Sequence, residues 1–132
     1  MYKKIMKGVV YMTITEVSHY FNIKPDTLRY YEKIGLMGPV KRDEQGKRDY
    51  SQQDIKHLEF IRCMRKAGLS IETLVHYIEL IKKGNKTLVE RRELLLNEKN
   101  QLEKQIEDHQ TALERLNMKI KKYDELIKQN KK

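Results

Sequence analysis

Cysteine is nearly absent from this sequence, since Cys63 is the only one among 132 residues. A single cysteine excludes a disulfide within the chain and any metal site built from several cysteines of one chain. A reducing, cytoplasmic location is therefore expected. No cofactor and no metal ion are expected, and no enzymatic activity, because the sequence has no glycine-rich phosphate loop, metal cluster or nucleophile–base spacing.

Proline and long apolar runs are also scarce. The two prolines are Pro25 and Pro39, and 36% of the residues are charged, a composition that favours a mostly α protein over a sandwich or barrel. No apolar stretch is long enough for the core of a signal peptide or for a membrane span. The net charge of +9 suits a polyanionic partner. Because this charge is spread along the chain, it does not identify the partner by itself, and the motifs carry that argument.

Residues 12–34 carry the pattern of two short helices joined by a tight turn. The first helix is predicted to begin after an N-cap at Thr15, with apolar side chains at helical spacing behind it. In the second helix Pro25 lies at the first helical position, where its fixed φ favours initiation, and Gly35 ends the helix. Such a pair predicts a helix-turn-helix, whose second helix can enter the major groove of DNA.

The segment between residues 36 and 50 breaks the helical pattern, first at Gly38-Pro39 and then in a charged stretch. Gly46 can supply the positive φ that a tight turn needs, so a two-stranded hairpin is predicted here. The hairpin carries cations near its tip, and we interpret it as a wing beside the helix-turn-helix.

Two further helices are predicted between residues 51 and 83. The first begins at Ser51, with Asp54 three positions later as in a capping box, and extends to about Ala67. Ser70 caps the second, which ends at Gly84. Both helices place apolar residues at helical spacing, and these are expected to form a support for the DNA-reading pair: Ile55, Leu58, Phe60, Ile61, Cys63, Met64, Ala67, Leu74, Tyr77, Ile78 and Ile81.

A long helix is predicted from Lys86 onward, because neither proline nor glycine occurs after Gly84. Its apolar stripe recurs at alternating spacings of three and four, which is typical of a coiled-coil seam that a second helix must cover. His109 is expected to set the register of the coil, with a sensing role as the alternative. The predicted dimerisation seam comprises Leu102, Ile106, His109, Leu113, Leu116, Ile120, Tyr123 and Ile127.

One segment has a specific resemblance. The run Thr27-Leu28-Arg29-Tyr30-Tyr31-Glu32-Lys33-Ile34-Gly35-Leu36, followed by Pro39, Arg42, Gly46, Arg48 and Tyr50, resembles the MerR family of bacterial transcription regulators. The order and spacing are highly specific, and the resemblance covers about residues 12–83, including the turn at residues 67–70.

The resemblance implies an architecture and a function. It implies a winged helix-turn-helix DNA-binding domain over 12–83 and a coiled-coil dimerisation helix over 84–132, paired antiparallel in a homodimer. Residues 1–11 are predicted to be an N-terminal extension, and a flexible one. By the same resemblance, the dimer binds an inverted repeat in promoter DNA and distorts it so that RNA polymerase can engage. RNA polymerase is then an indirect partner, and no membrane is involved.

The second helix supplies four of the predicted DNA contacts. Arg29 and Lys33 lie four residues apart on one face, where a guanidinium can pair with a base edge or phosphate and an ammonium can act as a point charge. Thr27 and Tyr30 can donate hydroxyl hydrogen bonds to phosphates. The alternative is that Arg29 and Tyr30 only cover the core, which is the interpretation favoured for Tyr31.

The predicted wing supplies the other four contacts. Arg42, Lys47 and Arg48 are expected to face the DNA backbone. Tyr50 is assigned to the same set, either by donating a hydrogen bond to a phosphate or, in the alternative, by packing under the wing.

Cys63 has two interpretations. It is either a small apolar residue packed inside a helix or an effector-sensing thiol, since Arg62, Arg65 and Lys66 are close in sequence and positive charge favours the reactive thiolate. The segment around it is similar to the aldehyde- and electrophile-responsive AdhR/NmlR-like branch of the MerR family, which places a lone cysteine here. By the same resemblance, metal-sensing members of the family hold their ion with cysteines near the start and end of the coiled coil. No cysteine follows Cys63, so a metal effector is not expected.

Two other classes of function compete with a specific regulator. One is a coiled-coil adaptor whose N-terminal fold binds protein, and the other is a nonspecific nucleic-acid-binding protein. Binding through phosphates weakens steeply with ionic strength, whereas an apolar protein interface does not, so salt dependence separates the adaptor from the DNA binders.

Overall fold

The computed structural model describes residues 4–6 and 9–131. The chain forms two compact units, Met1–Arg91 and Arg92–Lys132. In chain order the elements are β1 (Lys4–Met6), β2 (Val9–Thr13), α1 (Ile14–Phe21), α2 (Pro25–Lys33), β3 (Lys41–Arg42), β4 (Arg48–Ser51), α3 (Gln52–Lys66), α4 (Ile71–Lys82), a 3-10 turn (Asn85–Thr87) and α5 (Leu88–Asn130). The prediction of a mostly α chain with a small β wing is confirmed.

The wing belongs to a four-stranded antiparallel sheet in the order β1-β2-β4-β3. Strand β2 pairs with β4 in a register that sets Met12 opposite Tyr50. The predicted flexible extension of residues 1–11 is therefore replaced by sheet at residues 4–6 and 9–11. The rest of that segment lies outside the described residues. Strand β1 pairs with β2 in a local hairpin, and Tyr11 also pairs with Ser51 of β4. The pairing with β4 joins residues that are distant in sequence, so it has no local sequence signal.

The helix-turn-helix forms as predicted, with one change at its start. Helix α1 is capped by Thr13 and not by Thr15. The Glu16 backbone N–H donates to Thr13 Oγ1 at 3.1 Å, and the Thr13 N–H donates to Glu16 Oε1 at 2.9 Å. This reciprocal capping box outweighs the isolated threonine two residues later. Pro25 begins α2, and Gly35 follows its end with φ +82°, as expected.

Helices α3 and α4 begin at the predicted caps. Ser51 and Asp54 form a capping box, and the Ser70 side chain accepts from the backbone of Thr73. Two predicted core positions are wrong, because Cys63 is exposed and Ile81 is 41% exposed. Cys63 lies two residues after buried Ile61, which turns it about 200° around the helix, and Ile81 lies in the last turn of α4.

The N-terminal unit has one hydrophobic core. Side chains from α1, α2, the sheet, α3 and α4 meet in it, and most are less than a tenth exposed. Its buried members are Met12, Val17, Phe21, Leu28, Tyr31, Leu36, Met37, Val40, Tyr50, Leu58, Ile61, Leu69, Leu74 and Ile78. The core therefore holds both α2 and the base of the wing.

The start of α5 is joined to the end of α4 by hydrogen bonds around Gly84. Thr87 Oγ1 donates to the Leu80 carbonyl at 2.6 Å, and Arg91 donates to the Gly84 carbonyl at 3.1 Å. These contacts hold the first turn of α5 to the N-terminal unit, so that unit extends to Arg91, past the expected boundary at residue 84.

Helix α5 is otherwise an exposed helix of 43 residues. Each apolar seam residue from Ile106 to Ile127 is at least half exposed, and Leu102 is partly buried. Among the helices of residues 4–6 and 9–131, none combines the length and apolar character that a membrane crossing requires.

Candidate nucleic-acid interface

Helix α2 divides its side chains between the core and the solvent. Leu28 and Tyr31 are buried, whereas Arg29 and Lys33 are exposed and Tyr30 is 49% exposed. Packing of Tyr31 was the favoured prediction and is confirmed. Because the buried residues hold one face of the helix in the core, the exposed residues form a fixed surface that the core keeps in place.

Arg29 is restrained on this surface by an acidic neighbour one turn earlier. Its Nη1 donates to Asp26 Oδ1 at 2.9 Å, and the two side chains are 49% and 94% exposed. An ion pair this exposed contributes little stability. It can release the guanidinium to a phosphate or a base edge at little cost. Thr27, also predicted as a contact, lies in the same first turn and is partly buried.

The tip of the wing is built around Asp43. Its Oδ1 accepts the backbone N–H groups of Gln45 and Lys47, each at 2.9 Å. Gly46 has φ +81°, as the turn requires. Arg42 and Lys47 are both exposed, and Arg42 Nη1 donates to the Gly46 carbonyl at 3.2 Å. The predicted wing cations are therefore presented to solvent on an ordered turn.

Arg48 joins the wing to α2. Its Nε donates to Glu32 Oε1 on α2 at 2.8 Å, and the side chains are 17% and 18% exposed. Arg48 was predicted to face the DNA backbone. In the structure this guanidinium is held from one side by a carboxylate on α2.

Tyr50 packs under the wing, so the prediction that it contacts DNA is wrong. The side chain is 0% exposed, and its hydroxyl has no hydrogen-bond partner within the part of the chain that the structure describes. Burial raises the pKa of Tyr50 to about 12; nearby Arg48 lowers it and Glu32 raises it. A phosphate cannot reach this hydroxyl in the observed conformation. The cause is the strand period, which turns Tyr50 toward Met12 and the core.

Three residues outside the predicted set position the surface. Glu32 holds Arg48, Asp43 orders the wing tip, and His57 Nε2 lies 2.8 Å from the Leu36 carbonyl in the segment that leads into the wing. Asp43, which precedes Gly46 in a charged turn, has a local signal, since aspartate often bonds to backbone two residues ahead. Glu32 and His57 have none, because their partners are distant in sequence.

Cys63 is exposed on α3, so the interpretation as a packed core residue is not supported. Within residues 4–6 and 9–131, no cluster of three or more histidine, cysteine or acidic residues could hold a metal ion. The His109 ring is exposed and its Nδ1 lies 2.8 Å from the Gln105 carbonyl in the preceding turn.

Comparison with known proteins identifies the family. Residues 12–81 match the model of the MerR HTH family regulatory proteins, and residues 55–119 match a model described as MerR, DNA binding. The chain belongs to the MerR family. AdhR, an HTH-type transcriptional regulator of Bacillus subtilis strain 168, is 48% identical over 91 residues, which cover 69% of this chain and 65% of AdhR. The match thus spans slightly less than two thirds of that relative.

Two solved MerR family structures share this fold. A MerR family transcriptional regulator from Listeria monocytogenes is 43% identical, with a TM-score of 0.79 and 86% of each chain covered. HiNmlR is described as a MerR family regulator lacking the sensor domain, bound to promoter DNA. It is 29% identical, with a TM-score of 0.79, and the match covers 87% of this chain and 91% of that one. The resemblance drawn from residues 27–50 is confirmed.

Proposed function

We propose that this protein is a DNA-binding transcription regulator that binds an inverted repeat in promoter DNA as a homodimer and distorts it. The observation that carries the proposal is the exposed cationic surface of α2 and the wing, formed by Arg29, Lys33, Arg42 and Lys47. The ion pair between α2 and β4 holds these two elements together. A helix and a wing that present cations together can enter a groove and contact the flanking phosphates.

The homodimer is supported by the exposed seam of α5. Isoleucines and leucines rarely remain half exposed in a continuous stripe unless a partner covers them. Because the stripe follows a heptad spacing, the partner proposed is α5 of a second copy. The resemblance to the MerR family implies that the two helices pack antiparallel. A two-fold dimer carries two recognition surfaces, and this matches the symmetry of an inverted repeat.

Distortion of the operator is the proposed link to transcription. Two wings and two recognition helices on one dimer can bend or untwist the DNA between the half-sites, at an energy that depends on its sequence. RNA polymerase would then respond to the altered promoter without contacting the regulator.

Selection from genomic DNA tests the proposal. The purified protein is mixed with random genomic fragments, including its own upstream region, and the retained fragments are sequenced at moderate salt. We expect enrichment of a short inverted repeat within a promoter. Retention that lacks sequence preference and disappears with salt would replace the proposal with nonspecific nucleic-acid binding. Retention of protein partners and no DNA would favour the coiled-coil adaptor.

We further propose that Cys63 is the effector-sensing residue and that aldehydes or other electrophiles modify it. Its exposure on α3 gives a reagent access, and Lys66 lies three residues later, one turn along the same helix. The thiolate would add to the carbonyl carbon of an aldehyde while the carbonyl oxygen takes up a proton, giving a hemithioacetal. The thiol's own proton is released to solvent.

The Cys63→Ser variant tests this regulation with formaldehyde as the probe. Transcription from the selected promoter is measured in vitro with wild type and variant over a formaldehyde series. We expect the wild type to respond and the variant to bind the operator equally well but not to respond. Since Cys63 is the only cysteine, an unchanged response in the variant would exclude thiol chemistry as the switch.

A further inference from the structure

We infer that Glu32 is a positioning residue for DNA binding, because it holds Arg48 and thereby fixes the wing against the recognition helix. This rests on the proposed function. Glu32 lies on α2, sixteen residues before Arg48 on β4, and its carboxylate accepts from Arg48 Nε at 2.8 Å. An acidic residue in a DNA-binding surface otherwise repels phosphates, so its presence needs a positive reason.

The burial of this pair distinguishes it from the ion pair between Arg29 and Asp26 on α2. Both side chains are less than a fifth exposed, whereas Arg29 and Asp26 are 49% and 94% exposed. A partly buried pair is screened little by salt and is costly to break, because the remaining charge would stay desolvated. The contact is therefore able to set the geometry between two elements, which an exposed pair cannot do.

The pairing with β2 covers Asp49 to Ser51 of β4, and Arg48 is the next residue toward the wing tip. Strand β3 comprises only Lys41 and Arg42, and the turn at Asp43 to Lys47 bonds within itself. A short hairpin is marginally stable alone. Tyr50 anchors the base of β4 in the core, and Arg48, two residues nearer the tip, is joined to α2. Glu32 thus restrains the wing at the position where it leaves the core.

The chemistry of the guanidinium adds to this role. Glu32 engages Nε of Arg48, and the same planar group carries further N–H donors on its two terminal nitrogens. When Nε is held, the orientation of the guanidinium is restrained, which favours a defined geometry between a terminal nitrogen and a phosphate. Glu32 acts through Arg48 and touches no DNA itself.

The sign of the effect gives a decisive test. Coulomb attraction alone predicts that Glu32→Gln, which removes a negative charge, strengthens DNA binding. Positioning predicts the opposite, a loss of about tenfold in affinity, as is typical for residues that act on a site through another residue. The DNA probe is the inverted-repeat duplex retained from genomic fragments by the wild type. Glu44→Gln is the matched control, since Glu44 is an exposed acid at the wing tip, and we expect equal or slightly tighter binding from it.

A second measurement needs no DNA. Amide hydrogen exchange over residues 41–51 should become faster in Glu32→Gln and stay unchanged in Glu44→Gln, while the exchange of α3 stays slow in both and shows that the fold is intact. Glu32→Gln that binds as tightly as wild type, with unchanged exchange, overturns the inference alone. A wild type that selects no repeat overturns the proposed function, and the positioning role with it.

Discussion

Replacement of Tyr50 by phenylalanine is expected to stabilise the protein. The Tyr50 ring is 0% exposed and its hydroxyl has no partner among the residues that the structure describes. A buried hydroxyl without a hydrogen bond costs about 1–3 kcal/mol, and phenylalanine keeps the ring while removing that cost. We therefore expect the free energy of unfolding of Tyr50→Phe to exceed that of wild type by about 1 kcal/mol at pH 8.

The same substitution should change how the free energy of unfolding depends on pH above pH 10. Burial raises the pKa of Tyr50 from 10.0 to about 12. Between these values the unfolded chain loses the phenol proton of Tyr50 while the folded chain keeps it. The stability that this proton contributes is therefore fully present below pH 10 and is lost as pH rises toward 12. The loss should be about 1 kcal/mol by pH 11 and about 3 kcal/mol in full. Tyr50→Phe has no phenol to titrate, so the difference in free energy of unfolding between this variant and wild type should increase above pH 10.

Urea unfolding followed by circular dichroism, from pH 8 to pH 11, checks both effects. The chain concentration is held constant, because the stability of a dimer depends on it. Tyr30→Phe is the matched control, since it removes a hydroxyl from a ring that is about half exposed, and it should follow wild type. A Tyr50→Phe variant that is less stable at pH 8 would refute the reasoning. A loss of DNA affinity in a variant that is more stable would return the hydroxyl to the DNA-contact set.

Two further predictions concern DNA binding and assembly. Arg29→Ala should cost about 1–3 kcal/mol of specific binding if its guanidinium contacts a base. Competition assays with the selected repeat measure this loss. An unchanged affinity would show that Arg29 does not contribute to recognition of the repeat. Leu113→Glu places a charge in the seam and should convert dimers to monomers in sedimentation experiments. Met118→Glu, on an outward face of α5 and 71% exposed, should leave the dimer intact, and a dimeric Leu113→Glu would refute the seam.

Local signals predicted much of the fold. Pro25 and Gly35 bound α2, Ser51 and Ser70 cap α3 and α4, and Gly46 turns the wing. Each of these depends on the conformational preference of one residue or on a bond to a residue three positions away. Such preferences act within one turn of chain, so they are readable before the tertiary structure is known.

The parts that sequence reasoning missed depend on contacts between distant residues. Residues 9–11 belong to the sheet because β2 pairs with both β1 and β4, and the partner in β4 is distant in sequence. The sequence does not determine whether Tyr50 faces the core or the solvent, because a strand of four residues has too few alternations to show which face is buried. The contact of Glu32 with Arg48 has no local sequence signal, because the two residues are sixteen positions apart.

These distant contacts also explain how a small wing can be held firmly enough to contribute to DNA recognition. Strand β4 is fixed by pairing with β2 on one side, by Tyr50 in the core and by Arg48 on α2. The three contacts use different parts of β4, namely its backbone at residues 49–51, the side chain of Tyr50 and the side chain of Arg48. We therefore expect α2 and the base of the wing to move together, with β2 supporting the proposed DNA-binding surface although it contributes no predicted contact.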